Sequence, residues 1–434
     1  MTATAPPARL ARILALSLLA ASPAPHAADC TVTVGVVMEL TGTAGAYGQA
    51  AAKSLEMALR DINDAGGVRG CRIVTDTRDS QSQPTVAVDA ANQLVQLRKV
   101  PVLIGGIVSS VTVPILTSVT GPARVLQVSP AASSPRLTEL GREGRSGGLF
   151  LRTITSDALQ GSVAASYALE RGMRRIAIIY VNNDFGTQLQ REFVRSYRAL
   201  GGSIAISTAY NERQGSYDAE VTATLAANPD ALYLISTPLE GATIARAWIS
   251  RGGTRRLLLN DGMNSGDFIR AVGAKYLNDA YGTSSGTTPS ASTAYFNAEY
   301  RAYAHLDPAS PAADRSYDAG AIVGLALAAA ARPEPAAIRA GIFRVTDPNG
   351  VVVHAGRAEF ERALVLLKAG KSLRYEGVIG ALSFDTYGDV TGPFRLWRIQ
   401  DGIVTTVGGL TAQAVAALDE RIATALAAGA GARR

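Results

Sequence analysis

Cysteine, histidine and tryptophan are scarce in this chain: its 434 residues hold two cysteines, three histidines and two tryptophans. The histidines, His26, His305 and His354, lie far apart in sequence. A metal centre or a Ser-His-Asp arrangement therefore has almost nothing to work with, and no metal or cofactor is expected. Basic residues are scattered among acids around a formal net charge of +6. No block of Lys and Arg interleaved with aromatics occurs, so nucleic acid is not an expected partner. Long apolar runs are missing as well: beyond the first 28 residues no stretch is long enough to span a bilayer, and Ala326 to Ala331 is far too short.

Residues 1–28 read as an export signal. Arg9 and Arg12 form a short basic segment, Ile13 to Ala21 an apolar core, and small residues follow, with cleavage expected near Ala27 or Ala28. Removal of Arg9 and Arg12 leaves a charge of +4. Both cysteines remain after cleavage. Cys30 precedes the run TVTVGVVM and Cys71 opens CRIVTDT, and neighbouring parallel strands of a βαβ unit begin side by side. A disulfide fits that geometry and an exported chain; two buried thiols are the other reading.

From Thr31 to about Gly282, short apolar runs alternate with amphipathic stretches. Strands are expected at Thr31–Met38, Arg72–Thr77, Val102–Ile104, Val125–Val128, Arg175–Val181, Ser203–Thr208, Ala231–Ile235 and Leu257–Leu259. Between the first two, Leu55, Ala58, Leu59 and Ile62 keep helical spacing, and Gly66-Gly67 ends the helix. The alternation predicts an α/β fold with parallel sheets covered on both faces. The series pauses between Arg136 and Phe150, which points to a domain crossing near Leu151 to Thr155. After Gly282 come a linker, SSGTTPSAS, and three helical stretches, Thr293–His305, Ala312–Arg332 and Glu334–Arg344. Residues 413–434 form an alanine-rich tail, expected as a terminal helix that frays.

Two loops carry the chemistry. LIGGIVSSVT (Leu103 to Thr112) and LQVSPAASS (Leu126 to Ser134) are apolar strands that end abruptly in hydroxyl residues, Ser109, Ser110 and Thr112 in one, Ser129, Ser133 and Ser134 in the other. In open α/β sheets ligands sit beyond the carboxyl ends of strands, where loop N–H groups and helix N-termini supply donors, so the pair suggests a small-anion site. Capping and turn formation are the plainer explanation of the same residues. GTAGAYG, Gly42 to Gly48, superficially suggests a dinucleotide loop and hence an enzyme, but its spacing is GxxGxxG rather than GxGxxG.

The blocks VGVVMELTGTAGAYGQAAAKSLEMALRDINDAGGVRG, LIGGIVSSVT, VSPAASSPRLT, RIAIIYVNNDFGTQL, LLLNDGM and LLKAGKSLRYEGVIGALSFDTYGDVTGP, in this order, resemble the class I periplasmic solute-binding proteins of the leucine/isoleucine/valine-binding type, which feed ABC importers. The resemblance covers Thr31 to about Gly409. It implies two doubly wound parallel-sheet lobes joined by three crossover segments, near Leu151–Thr155, Gly282–Thr287 and Leu382–Asp385. The first lobe would comprise residues 29–152 and 285–382, the second 153–284 and 383–412.

The resemblance also implies a monomeric periplasmic receptor, not an enzyme, that closes on an amino acid, apolar or branched-chain-like, and passes it to membrane permease subunits. Ser109 and N–H groups of the following turn, Ser110 included, would hold the ligand carboxylate, with the Ala132–Ser133 turn beside them. The Ala131 carbonyl and the Asp261 carboxylate would take the ammonium, a charge-assisted pairing that a dry cleft strengthens. Tyr47 would cover the ligand from the first lobe and Phe185 from the second. STPLE (Ser236 to Glu240) departs from the family, since Thr237 stands in the segment where a further Tyr is usual, so the side-chain pocket is expected to differ. Each residue has an ordinary explanation too: Asp261 as turn chemistry, Tyr47 as helix cover, Phe185 as core. The same fold could instead bind an amide, urea or an aromatic carboxylate, or act as a ligand sensor.

Overall fold

The computed structural model describes residues 1–3 and 30–431; the expected export signal and its cleavage position near Ala27 or Ala28 fall on residues 4–29, outside the described part. β-branched residues dominate the first strand, β1 (Thr31–Met38), whose last five residues are buried, as a central parallel strand covered on both faces requires. β2 (Arg72–Asp79), β3 (Val102–Gly105), β4 (Leu126–Ser129) and β5 (Phe150–Arg152) run parallel to it in the order β2-β1-β3-β4-β5. A disulfide joins Cys30 to Cys71 at the adjacent starts of β1 and β2.

Helix Gly45–Asp64 turns Leu55, Ala58, Leu59 and Ile62 inward. Helix Ala313–Ala329 packs closely against it through two glycines: a Cβ on Gly320 would lie 2.7 Å from Leu55 Cδ1, and one on Gly324 2.4 Å from Ile62 Cδ1, so a side chain at either place would push these core methyls aside. One core therefore draws first on Val34 to Leu151 and again on Phe296 to Val390.

The second lobe intervenes. β6 (Arg175–Val181), β7 (Ser203–Tyr210), β8 (Ala231–Ile235), β9 (Leu257–Leu259) and β10 (Ala280–Ser285) are parallel wherever they pair with one another. The chain then returns through helices Ala291–Ala304, Ala313–Ala329 and Pro335–Val345, which fall where periodicity placed them. A three-stranded sheet follows, β11 (Val351–Val353), β12 (Leu373–Gly377) and β13 (Gly380–Ala381). Finally β14 (Phe394–Gln400) and β15 (Ile403–Leu410) add antiparallel to the second sheet, ordered β15-β14-β10-β9-β8-β6-β7. The overall architecture is a two-lobed, class I Venus-flytrap fold.

Three segments pass between the lobes side by side. The Thr155 and Ser285 hydroxyls bond to each other, and the Gly286 N–H donates to the Pro393 carbonyl at 2.7 Å. The third segment differs from expectation: Phe384 and Val390 still belong to the first core, so the chain leaves that lobe after Val390 rather than at Leu382–Asp385. The bridge between Phe384 and Val390 folds this stretch back on itself first. The alanine-rich tail forms the expected terminal helix, Ala412–Gly431, and buries Val415, Leu418 and Ile422 against the second lobe. Among the described residues no helix is long and apolar enough to cross a membrane.

Candidate functional site

The carboxyl ends of β1, β3 and β4 face the carboxyl end of β9 across a cleft of about 310 Å³, the place where open α/β sheets hold ligands. On the first-lobe side, the last turn of β1 supplies Glu39, which is completely buried. Its carboxylate accepts from the N–H groups of Ile107, at 3.0 and 3.1 Å to its two oxygens, and of Val108 at 3.1 Å. Burial pushes the Glu39 carboxyl up to about 7, and the two N–H bonds oppose that rise. The result is a fixed loop that delivers Ser109 as the first residue of helix Ser109–Ile115. No side chain caps that helix: the N–H groups of Val111 and Thr112 donate to the Val108 carbonyl, and those of Ser109 and Ser110 have no partner among the described residues.

Ser109 Oγ accepts from the Ser134 N–H at 3.1 Å, which ties the two hydroxyl-rich loops together and leaves the Ser109 hydroxyl hydrogen uncommitted. In the second loop Ser129 Oγ donates to the Gly106 carbonyl at 2.6 Å and accepts from the Ala132 N–H at 3.1 Å. Arg152, fully buried, donates to the carbonyls of Ala132 at 3.1 Å and Ser134 at 2.9 Å and pairs with Asp389 at 2.7 Å. Its guanidinium is the scaffold of this turn.

Behind the turn, Ser133 Oγ donates to Asp157 Oδ2 at 2.8 Å, while Asp157 Oδ1 is buried with no partner. Burial first, and the charge of Asp261 second, push the Asp157 carboxyl up to about 8.

The second-lobe wall begins where β9 ends. Asn260 Oδ1 accepts from the Ser236 N–H at 2.9 Å, and Asp261 Oδ1 accepts from the Gly262 N–H at 2.9 Å. Asp261 Oδ2 has no hydrogen-bond partner among the described residues. Phe185 opens helix Asp184–Ala199, whose N-cap Asn183 accepts from the N–H groups of Phe185 and Gly186. From the first lobe the Tyr47 hydroxyl reaches across and donates to the Gly262 carbonyl. Burial, with the charges of Asp261 and Asp267, raises the Tyr47 phenol well above its ordinary value. The helix bearing Tyr47 sits close to β1 because Gly48 has no side chain: a Cβ there would lie 1.9 Å from the Glu39 carbonyl oxygen. The glycines of GTAGAYG thus serve packing within the chain.

Of the expected residues, Tyr47, Ser109, Ala131, Ser133, Phe185, Thr237 and Asp261 line this one cleft. Ser110 and Ala132 do not. Ser110 is one helical step round from Ser109 and is buried, and the N–H and C=O of Ala132 are already taken by Ser129 and Arg152. Within STPLE, Glu240 points away from the cleft, accepting from the Tyr210 hydroxyl at 3.2 Å and the Arg213 N–H at 2.8 Å. Sequence reasoning missed Glu39, Asp157, Arg152, Arg315 and Arg395. Asp157 follows the helix cap Ser156 and reads as ordinary first-turn acid; only its complete burial marks it.

The sequence profile of the periplasmic binding protein family matches residues 31–403. The chain belongs to that family. One curated relative is "Leu/Ile/Val-binding protein homolog 3" of Brucella melitensis, 27% identical over 380 residues, spanning 87% of this chain and 93% of the relative. Another, also 27% identical, over 382 residues, is the chemotactic signal transduction system substrate-binding protein BasB of Halobacterium salinarum, spanning 86% of this chain and 88% of the relative. Among solved structures, the leucine-binding protein LivK of Thermotoga maritima superposes with a TM-score of 0.74 at 21% identity, covering 88% of this chain and 99% of that one, which attests the fold.

Proposed function

We propose that this member of the family is an exported, periplasmic receptor that captures an α-amino acid between its lobes and delivers it to the permease subunits of an ABC importer. The observation that carries the reading is the pairing of opposite chemistries in one cleft. Ser109 and the opening N–H groups of its helix, with the Ser133 turn, form a donor wall, while Asp261 presents a carboxylate oxygen free of other bonds. Donors on one side and an acid on the other fit a zwitterion. A lone carboxylate such as an aromatic acid would leave Asp261 desolvated without a cation, which is costly. The relatives' names, Leu/Ile/Val-binding among them, point the same way.

In this reading the ligand carboxylate rests on Ser109 and the N–H groups beside it, and the ammonium on Asp261 and the Ala131 carbonyl. Tyr47 and Phe185 close over it, and Ile107, Ile154 and Phe296 receive an aliphatic stem. Because the ligand touches both lobes, it favours the conformation in which they are close. The chemotaxis relative supports a second use of the same binding act, in which the closed receptor addresses a sensor rather than a permease.

A thermal-shift screen of the mature chain over α-amino acids, amides, urea and aromatic acids tests this. A ligand at about 100 times its dissociation constant adds roughly 2.7 kcal/mol to stability, a readily measured shift. Stabilisation by α-amino acids is expected; stabilisation by amides or aromatic acids alone would overturn the amino-acid assignment.

A further inference from the structure

Two arginines line the cleft with the residues above, and they differ in how they are satisfied. Arg315 Nη1 grips both oxygens of Asp314, at 2.9 and 2.7 Å, and its Nη2 donates to the carbonyls of Ser285 at 3.0 Å and Gly286 at 3.4 Å. It is a staple of the second crossing segment. The Arg395 side chain makes no hydrogen bond and no ion pair among the described residues; its Nε, like that of Arg315, is buried without a partner, but unlike Arg315 its other nitrogens have none either. Burial first, then the charge of Arg315, lowers the Arg395 guanidinium from its ordinary value, and the charge of Asp314, which Arg315 holds, opposes that fall.

Register places this cation relative to the ammonium site. Arg395 of β14 stands opposite Ser284 of β10, and β10 pairs with β9 as far as Gly282 and Leu259, two residues before Asp261. β14 and β9 flank β10, so these strands lie two spacings apart, about 10 Å between backbones, and Asp261 and Arg395 line the same cleft. Side chains from both can reach one small ligand. With Asp261 assigned to the ammonium and Asp314 spent on Arg315, the positive charge of Arg395 is the one left unanswered in the cleft.

We infer that the ligand is an α-amino acid whose side chain ends in a carboxylate, and that Arg395 is the residue that selects it. The inference rests on the amino-acid reading above and adds an anionic tip to the aliphatic stem that Ile107, Ile154 and Phe296 receive. A neutral side chain leaves the guanidinium desolvated and unpaired, whereas a carboxylate there makes a charge-assisted hydrogen bond.

The test is calorimetric titration of the mature chain with L-glutamate, L-aspartate, their amides L-glutamine and L-asparagine, and L-leucine. The wild type is expected to bind an acid about 10- to 100-fold more tightly than its amide, the range for one hydrogen bond to a charged group. In Arg395→Gln that preference should fall to near unity while affinity for the amide is retained; Arg395→Lys should keep part of it. Leucine or the amides binding the wild type as tightly as the acids would overturn the inference and leave the amino-acid reading standing. So would an acid preference that survives Arg395→Gln. Failure of all five to bind would overturn both. Unfolding curves of the two variants, matched to the wild type, separate a lost contact from a lost fold.

Discussion

Replacing Asp261 by Asn tests the centre of the proposed mechanism with little disturbance to the fold. Asp261 is only partly buried and forms no ion pair among the described residues; its one strong commitment is to accept from the Gly262 N–H at 2.9 Å, which an amide oxygen can also do. Stability without ligand should therefore change by no more than about 0.5 kcal/mol, the range for surface substitutions. Binding is different. The substitution removes the anion facing the ligand ammonium and can present an amide N–H₂ in its place. Losing one hydrogen bond to a charged group costs about 1.5 to 3 kcal/mol, and leaving a desolvated charge unpaired raises this to about 3 to 5 kcal/mol. The dissociation constant should rise about 150- to 4,000-fold, read by titration calorimetry. A second readout lies behind the site: the Asp261 charge helps to hold the Asp157 carboxyl up at about 8, so the Asp157 carboxyl resonance should titrate lower in the variant. Unchanged affinity for every α-amino acid would refute the ammonium role of Asp261.

Ser109→Ala removes one donor from the carboxylate wall and the acceptor of the Ser134 N–H; a loss of about 1 to 3 kcal/mol in binding is expected, and an affinity equal to wild type would place the carboxylate elsewhere. Asp389→Asn leaves the fully buried Arg152 guanidinium without its counter-charge, and urea unfolding should show a loss of about 3 to 5 kcal/mol. The raised carboxyl of Asp157, about 8, makes stability depend on pH: between its unfolded value, about 4, and about 8 the folded chain holds a proton that the unfolded chain has released. That contribution is fully present below about 4 and is lost as pH rises through about 8. Glu39, at about 7, acts in the same direction. Melting temperature should fall from pH 5 to pH 9, less steeply in Asp157→Asn, and an identical slope in the variant would show that Asp157 is not the titrating group.

Strands such as Thr31–Met38 and Arg175–Val181 were legible because buried parallel strands are continuous apolar runs, and helix Gly45–Asp64 because its inward face repeats at helical spacing. Ser109 was legible for a related reason, since hydroxyl residues stand out where an apolar run stops; Asp261, which the pattern alone reads as turn chemistry, entered only through the family resemblance. What escaped depended on partners distant in sequence. β5 and β11 have three residues each and β13 two, too few to show a period, and each exists only through its neighbour in the sheet. Arg395 lies in FRLWRIQ, where it looks like any outward residue of an alternating strand; its isolation emerges only when the cleft is assembled around it. In the terminal helix, Val415, Leu418 and Ile422 do keep helical spacing, but a background of alanine hid the stripe.

The bond from the Tyr47 hydroxyl to the Gly262 carbonyl joins parts of the chain 215 residues apart, one on each lobe. It is formed between protein groups alone, so parting the lobes must break it whatever the cleft contains. Its free energy enters the ratio of closed to open molecules as a constant that no ligand alters. Since apparent affinity scales with the fraction of molecules already competent to bind, this one bond acts as a gain control: it strengthens or weakens capture of every ligand by the same factor, while the choice among ligands remains with the contacts made to the ligand itself, that of the Tyr47 ring included.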